Sequence, residues 1–266
     1  MVLNAEKIEL PPGLERFSLE GKIAVITGAG SGLGAEVARG MAMSGAFVVL
    51  ADMNLPAVTE MEKTLTDAGL RCAARHLDVT DSSQVSETMS WVAETFGKID
   101  ILGNIAGIAR RMPTEDFDED AFDKIINVNL RGSFLCLKYA GRIMLGQGFG
   151  SIINFGSIAS VVANPESMAY SCSKGGVAQM TRTAGVEWAK RGVRVNAVVP
   201  GTFFTPLLQQ CIDNEPGYAE RMLARYPVGR FAQPEEIVGV CVYLASDASS
   251  YVTGALYAVD GGMTAN

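Results

Sequence analysis

Seven short apolar runs recur along this chain, and nearly every one is followed by a longer stretch of helical character. KIAVIT (22–27) leads through a glycine cluster to an alanine-rich stretch at 33–44; AFVVLAD leads to 55–68, LRCAARHLD to 82–96, and IDILGN to 119–144. GSIINFG precedes a helix around 170–190, VRVNAVV a later helix over 234–245, and LYAVDGG closes the series. The runs are continuous where a half-exposed strand would alternate, which is how strands read when both faces of a sheet are covered. Strands separated by helices pair in parallel through crossovers. The order predicts one α/β domain: a Rossmann-like, doubly wound parallel sheet of about seven strands with helices on both faces. At 266 residues the chain suits a single domain, which we place over 21–266 after an N-terminal extension at 1–20. The segment at about 202–230 breaks the alternation and carries Pro206, Pro216 and Pro227; a connection that long is expected to work as a lid.

Composition removes several classes of function. A formal charge of −7 without a basic cluster repels a phosphate backbone, so nucleic acid is not an expected partner. The apolar runs, such as residues 46–51, fall far short of the roughly 18 residues of a membrane span, and the charged, Pro11–Pro12-containing start is unlike a signal peptide. The reading is a soluble, cytoplasmic protein. Cys72, Cys136, Cys172, Cys211 and Cys241 are odd in number and scattered, which fits reduced thiols and no metal. Cys172 is expected to face away from Tyr170 and Lys174 and to serve packing. His76 is the single histidine, without a nucleophile signature beside it, so it is expected to be structural and a histidine-dependent hydrolase is not expected.

In a doubly wound sheet, ligands sit beyond the carboxyl ends of the strands. After the first strand comes TGAGSGLG (27–34). Glycines allow a sharp turn and close backbone approach, and the following helix offers free N–H groups and a positive dipole end to a pyrophosphate. Two registers fit: Gly30, Gly32 and Ala35, or Gly28, Gly32 and Gly34. Asp52 ends the second strand, 18 residues past Gly34, where a carboxylate accepts from both hydroxyls of an adenosine ribose and repels a 2′-phosphate. Asp52 is also a candidate helix N-cap, a role Asn54 can fill instead. Neither Met53 and Asn54 nor Ala29, Gly30 and Ser31 supplies a cation, so NAD is favoured over NADP. Asp78 lies near the adenine in this reading, with Asp81 or Thr80 capping the next helix. Finally, AYSCSK (169–174) places Tyr170 and Lys174 four residues apart, on one face of a helix.

Taken in order, TGAGSGLG, the DV at Asp78, NIAG at Asn104, INVNL ending at Leu130, GS at Ser157, YSCSK, and VVPGTFFT (198–205) resemble the short-chain dehydrogenase/reductase family over nearly the whole chain after the first twenty residues. The family often has Asn-Asn-Ala-Gly where this chain has Asn104-Ile105-Ala106-Gly107, so one amide is missing. The resemblance implies catalytic roles for Asn129, Ser157, Tyr170 and Lys174. It implies cofactor contacts from Gly28, Ser31, Gly32, Leu33 and Gly34; Asp52 and Met53; Asp78 and Val79; Asn104, Ala106 and Gly107; Tyr170 and Lys174; and Pro200, Gly201, Thr202 and Thr205. Thr205 is equally a candidate cap for a lid helix, Ser157 a turn or cap residue, and Asn127 a rival to Asn129.

Phenol ionises near pH 10, so an unaided tyrosine is a poor base at neutrality. A nearby lysine ammonium and the positive nicotinamide ring of NAD+ both favour phenolate. Tyr170 is then base in alcohol oxidation and acid in ketone reduction. In the same reading Lys174 also binds the nicotinamide ribose, Ser157 hydrogen-bonds the substrate oxygen, and Asn129 anchors a water leading to Lys174. The substrate is a small alcohol or ketone, either a polyol or sugar-derived alcohol or a 3-oxoacyl thioester; a non-catalytic dinucleotide sensor is the reading from another class. Residues 109–112 and 160–168, with Phe203, Phe204 and Leu207, are candidates for the substrate wall, and Arg110 or Arg111 for binding a substrate anion. The family also implies a homotetramer built on the helices after the fourth and fifth strands.

Overall fold

A computed structural model describes residues 13–214 and 216–266, with only the backbone of Pro206, Leu207, Gln210 and Cys211. Seven strands form one parallel sheet: β1 Ile23–Thr27, β2 Phe47–Asp52, β3 Cys72–His76, β4 Ile101–Asn104, β5 Gly150–Phe155, β6 Val193–Pro200 and β7 Leu256–Val259. Their order is β3-β2-β1-β4-β5-β6-β7, so the direction of winding reverses between β1 and β4. Thr27 at the end of β1 pairs with Ala51 on one side and Asn104 on the other.

The helices are α1 Gly32–Met43, α2 Leu55–Asp67, α3 Ser82–Phe96, α4 Glu119–Ile126, α5 Ser133–Gln147, α6 Met168–Trp188, α7 Pro206–Asn214, α8 Tyr218–Leu223 and α9 Val238–Ala245. Local chemistry sets several ends. Asn54 caps α2 by accepting from Ala57 N, Asp81 caps α3 by accepting from Ser83 and Gln84 N, and Gly97 and Gly148 close α3 and α5 in left-handed conformation.

The strand pattern shows why the runs are continuously apolar. Alternate residues enter opposite cores: Ala24, Ile26, Val48, Leu50 and Ile101 pack with α1, α2 and α9, whereas Val25, Val49, Ala51 and Leu102 pack with α3, α5 and α6. Burying a Val, Leu or Ile side chain stabilises by about 1.5–3 kcal/mol, so β1, β2, β4, β5 and β6 are held from both sides.

Two expectations change. The helix expected over 119–144 is three segments, because a π-helical stretch, Asn127–Gly132, separates α4 from α5. There Asn129 is fully buried and hydrogen-bonded sideways, and its carbonyl accepts from the Ser133 hydroxyl. Cys172 is exposed rather than packed, with its sulfur 3.9 Å from that of Met168. Residues 1–12 of the expected extension, the Leu207 side chain and the Cys211 side chain lie outside the described residues. Leu19, within that extension, is fully buried and donates its N–H to Ser44 O.

Candidate active site

A cleft of about 870 Å³ opens along the carboxyl ends of the strands, at the reversal between β1 and β4. Its wall brings together Gly28, Ser31, Gly32, Leu33, Gly34, Asp52, Met53, Asp78, Val79, Ala106, Gly107, Ser157, Tyr170, Lys174, Pro200 and Gly201. Among the described residues no group of three or more His, Cys, Asp or Glu side chains is arranged to hold a metal, and no helix is long and apolar enough to cross a membrane.

The glycine turn differs between the two registers in what a side chain would meet. Gly28 has φ +70° and Gly32 φ +54°, where an L side chain is strained. A Cβ on Gly34 would lie 2.0 Å from Gly28 O, and one on Gly28 would lie 2.8 Å from Ala106 Cα. Gly28, Gly32 and Gly34 are thus the positions where the turn requires glycine. Ser31 enters α1 in extended backbone without a side-chain cap, so the first N–H groups of α1 are left for a ligand in the cleft. Asp52 accepts from Gly30 N at 3.0 Å and Asn54 N at 2.8 Å, which fixes its carboxylate and still leaves lone pairs for a ribose. Asn54, not Asp52, caps α2, and among the described residues no ion pair involves Asp52. These features fit a dinucleotide: free helix N–H groups for its phosphates, and an unopposed carboxylate for its ribose.

Thr27, which the sequence reading did not single out, pins the facing loop. Its Oγ1 donates to Gly103 O and accepts from Ile105 and Ala106 N at 3.1 and 3.3 Å. A hydroxyl at the end of an otherwise apolar strand was the available signal. Asn104 lies behind the wall: its Nδ2 donates to Asn154 Oδ1 and Ser133 O, tying β4 to β5 and α5. Asp78 accepts from Thr80 N and Oγ1, and the cap of α3 falls to Asp81. Lys124 and Asn127 also line the cleft, one helical turn apart.

At the other end, Lys174 is 5 % exposed and donates from Nζ to Phe155 O at 2.7 Å. Its ammonium lies 5.7 Å from the centre of the Tyr170 ring, and burial pulls its pKa down to about 8. Asn129 does not reach the cleft wall. Its amide brackets Ile108, accepting from Ile108 N at 2.8 Å and donating to Ile108 O at 2.9 Å, and its second N–H goes to Ser173 Oγ. A Cβ on Gly107 would come within 3.2 Å of Asn129 Oδ1 and 3.6 Å of Lys174 Nζ, so this glycine lets the loop lie against both. Ser157 caps a short 3-10 turn, Ile158–Ser160, by accepting from Ala159 N.

The phenol of Tyr170 lies in the cleft wall. Burial raises its pKa in the cofactor-free protein, and the nearby Ser157 hydroxyl opposes that rise without overcoming it. The neutral phenol is therefore the resting form.

Other candidates sit elsewhere. Thr202 Oγ1 is 2.6 Å from Tyr226 OH, and Thr205 Oγ1 accepts from Leu208 N in the first turn of α7. Neither lines the cleft. Phe203 is buried in the main core, whereas Phe204 is exposed. Arg111 pairs with Glu166 at 3.3 Å, and Met112 N donates to Glu166 O, so the loops after β4 and β5 are strapped together. Among the described residues no ion pair involves Arg110.

Comparison with known proteins agrees with this geometry. A family model described as enoyl-(acyl carrier protein) reductase matches residues 28–264. The chain is 43% identical over 245 residues to cis-4-hydroxycyclohexanecarboxylate dehydrogenase of Sinomonas cyclohexanicum, covering 92% of this chain and 97% of that protein. It is 40% identical to D-threitol dehydrogenase of Mycolicibacterium smegmatis, covering 93% and 95%. A crystal structure of gluconate 5-dehydrogenase from Burkholderia cenocepacia in complex with NADP and tartrate superposes with a TM-score of 0.91 at 36% identity, covering 95% of this chain and 99% of that one.

Proposed function

Since the chain belongs to the short-chain dehydrogenase/reductase family, we propose that it interconverts a secondary alcohol of a small polyol or hydroxy acid and the corresponding ketone, with NAD as its preferred dinucleotide. The observation that carries this reading is the juxtaposition of Tyr170, Lys174 and Ser157 in the same cleft as the glycine turn and Asp52. The dinucleotide supplies the hydride acceptor or donor. Gly28, Gly32, Gly34 and the start of α1 hold its phosphates, Asp52 its adenosine ribose, and Lys174 the nicotinamide ribose.

Ser157 holds the substrate oxygen while Tyr170 moves the proton. In ketone reduction the resting neutral phenol donates to the oxygen. In alcohol oxidation the phenol must first lose its proton, against the burial that holds it. The Lys174 ammonium favours that loss by placing positive charge beside the ring. Oxidation then gains rate as pH rises, and reduction loses it. Asn129 acts through the loop and Ser173 that it grips.

The absence of a cation at Asp52 supports NAD over NADP, since a 2′-phosphate there meets like charge. The names of the relatives, an alicyclic hydroxy acid dehydrogenase and a threitol dehydrogenase, support the substrate class. Segment 202–230 serves as the lid, anchored where Tyr226 packs on Ile158. A homotetramer in the cytoplasm is the fitting setting. A groove between α5 and α6, lined by Phe134, Leu137, Met180 and Trp188, supports assembly through those helices, and the buried unpaired Cys72, Cys136 and Cys241 fit a reducing compartment. The test is a panel of polyols, cyclic and acyclic hydroxy acids and their ketones, followed by NADH and NADPH absorbance. Turnover of secondary alcohols with NAD supports the reading, and no turnover with either cofactor rejects it.

A further inference from the structure

We propose that Ser160 is a positioning residue whose hydroxyl locks the loop carrying Ser157 to the helix carrying Tyr170 and Lys174. The inference rests on the oxidoreductase reading above and adds a residue to it. Ser160 Oγ donates to Lys174 O at 2.9 Å and accepts from Ser157 N at 3.1 Å. In an ordinary capping box, the side chain three residues after the cap bonds only back to the cap's N–H. Here the hydroxyl also spends its proton outside its own turn, on a carbonyl 14 residues further along the chain. A hydroxyl offers one proton and two lone pairs, so a single small side chain serves both sides of the joint.

The surroundings are shaped for this contact. Ser157 enters the turn in extended backbone, and its own Oγ is engaged by Ala159 N, which sets its direction. A Cβ on Gly156 would lie 2.9 Å from Ser160 Oγ, so the glycine leaves the hydroxyl room. A second serine makes the matching joint on the other side of α6: Ser173 Oγ donates to Tyr170 O at 2.7 Å and accepts from Asn129 Nδ2 at 3.1 Å. Ser173 is fully buried, so its removal perturbs the core. Ser160 is only half-buried and touches neither the glycine turn nor Asp52, so its removal isolates the link between Ser157 and α6.

Without that link, Ser157 drifts from the phenol while the dinucleotide end stays intact. Misplacing a positioned group by about 1 Å can cost a factor on the order of 100, so a partial drift is expected to lower kcat about tenfold or more. The Michaelis constant for the dinucleotide stays within about twofold in this account, since uniform binding is untouched. Because the Ser157 hydroxyl opposes the burial-driven rise of the Tyr170 pKa, its withdrawal moves the phenol's titration to higher pH.

The experiment compares wild type, Ser160→Ala and Ser160→Thr by steady-state kinetics, and by NMR titration of ring-labelled tyrosine in the NAD+ complex, with Tyr170→Phe assigning the resonance. The inference expects an upward shift of the Tyr170 inflection and a fall in kcat in Ser160→Ala, with both largely restored in Ser160→Thr. An unchanged inflection in Ser160→Ala overturns it. So does a threonine variant that behaves like the alanine variant, because the hydroxyl is then not the agent. Wild type that titrates as expected but turns over no alcohol or ketone defeats the oxidoreductase reading alone, and the titration still decides the role of Ser160.

Discussion

Replacing Lys174 with methionine should make the difference in stability between wild type and variant depend on pH, in a direction the burial of the ammonium fixes. Lys174 is 5 % exposed and its pKa falls from 10.5 to about 8 because the charge is desolvated. At about 1.36 kcal/mol per pH unit, carrying that proton in the folded state costs about 3 kcal/mol at pH 7. The unfolded lysine keeps its proton to about pH 10.5, whereas the folded one releases it near 8, so between these values the unfolded chain binds more protons. Stability contributed by this group therefore rises with pH. From pH 7 to 9.5 the relief is about 2 kcal/mol, equivalent to roughly 4–8 °C in melting temperature for a domain of this size. Methionine has no proton to lose and a similar length. Urea unfolding of both proteins at the two pH values isolates the effect: wild type should gain about 2 kcal/mol on Lys174→Met as pH rises. A difference that stays flat refutes the reasoning, since the ammonium is then solvated and exerts little pull on the phenol. The variant is also expected to lose turnover, because stability and activity conflict at this position.

Asp52→Ala should shift the NAD-to-NADP ratio of kcat/KM by about tenfold or more towards NADP, equivalent to roughly 1.4 kcal/mol; an unchanged ratio removes the carboxylate from cofactor selection. Gly34→Ala places a Cβ 2.0 Å from Gly28 O and should cost about 1–3 kcal/mol in unfolding free energy and abolish dinucleotide binding in titration calorimetry. Gly30→Ala has as its nearest neighbours the Asp52 and Ala57 side chains, at 3.0 Å and beyond, and should be milder; equal losses would count against the Gly28-Gly32-Gly34 register.

Much of the scaffold was legible because its signals are local. Runs rich in apolar residues marked all seven strands, and α3 begins and ends where its cap Asp81 and its terminal Gly97 put it. The glycine turn was visible but not which of its glycines are sterically required, since Gly28 meets the loop after β4, a contact across 78 residues. The helix over 119–144 read as unbroken because its apolar residues recur at helical spacing; the contact at the π-helical stretch, the bracket that Asn129 makes with Ile108, joins it to the loop after β4 and is not visible in spacing. The pairing of Arg111 with Glu166 likewise joins two loops that only the sheet order brings together. The burial that raises the phenol's pKa in the cofactor-free protein was not legible either, because spacing shows the lysine beside Tyr170 and nothing of the packing around the hydroxyl.

The most direct test of the account is turnover and NAD+ binding by Tyr170→Phe, using the best alcohol from the panel. Loss of the phenolic hydroxyl should leave the dissociation constant for NAD+ within a fewfold of wild type and lower kcat by about 100-fold or more, the scale of a lost general acid–base group. Turnover at the wild-type rate would contradict the account, because the proton would then be leaving through some other group.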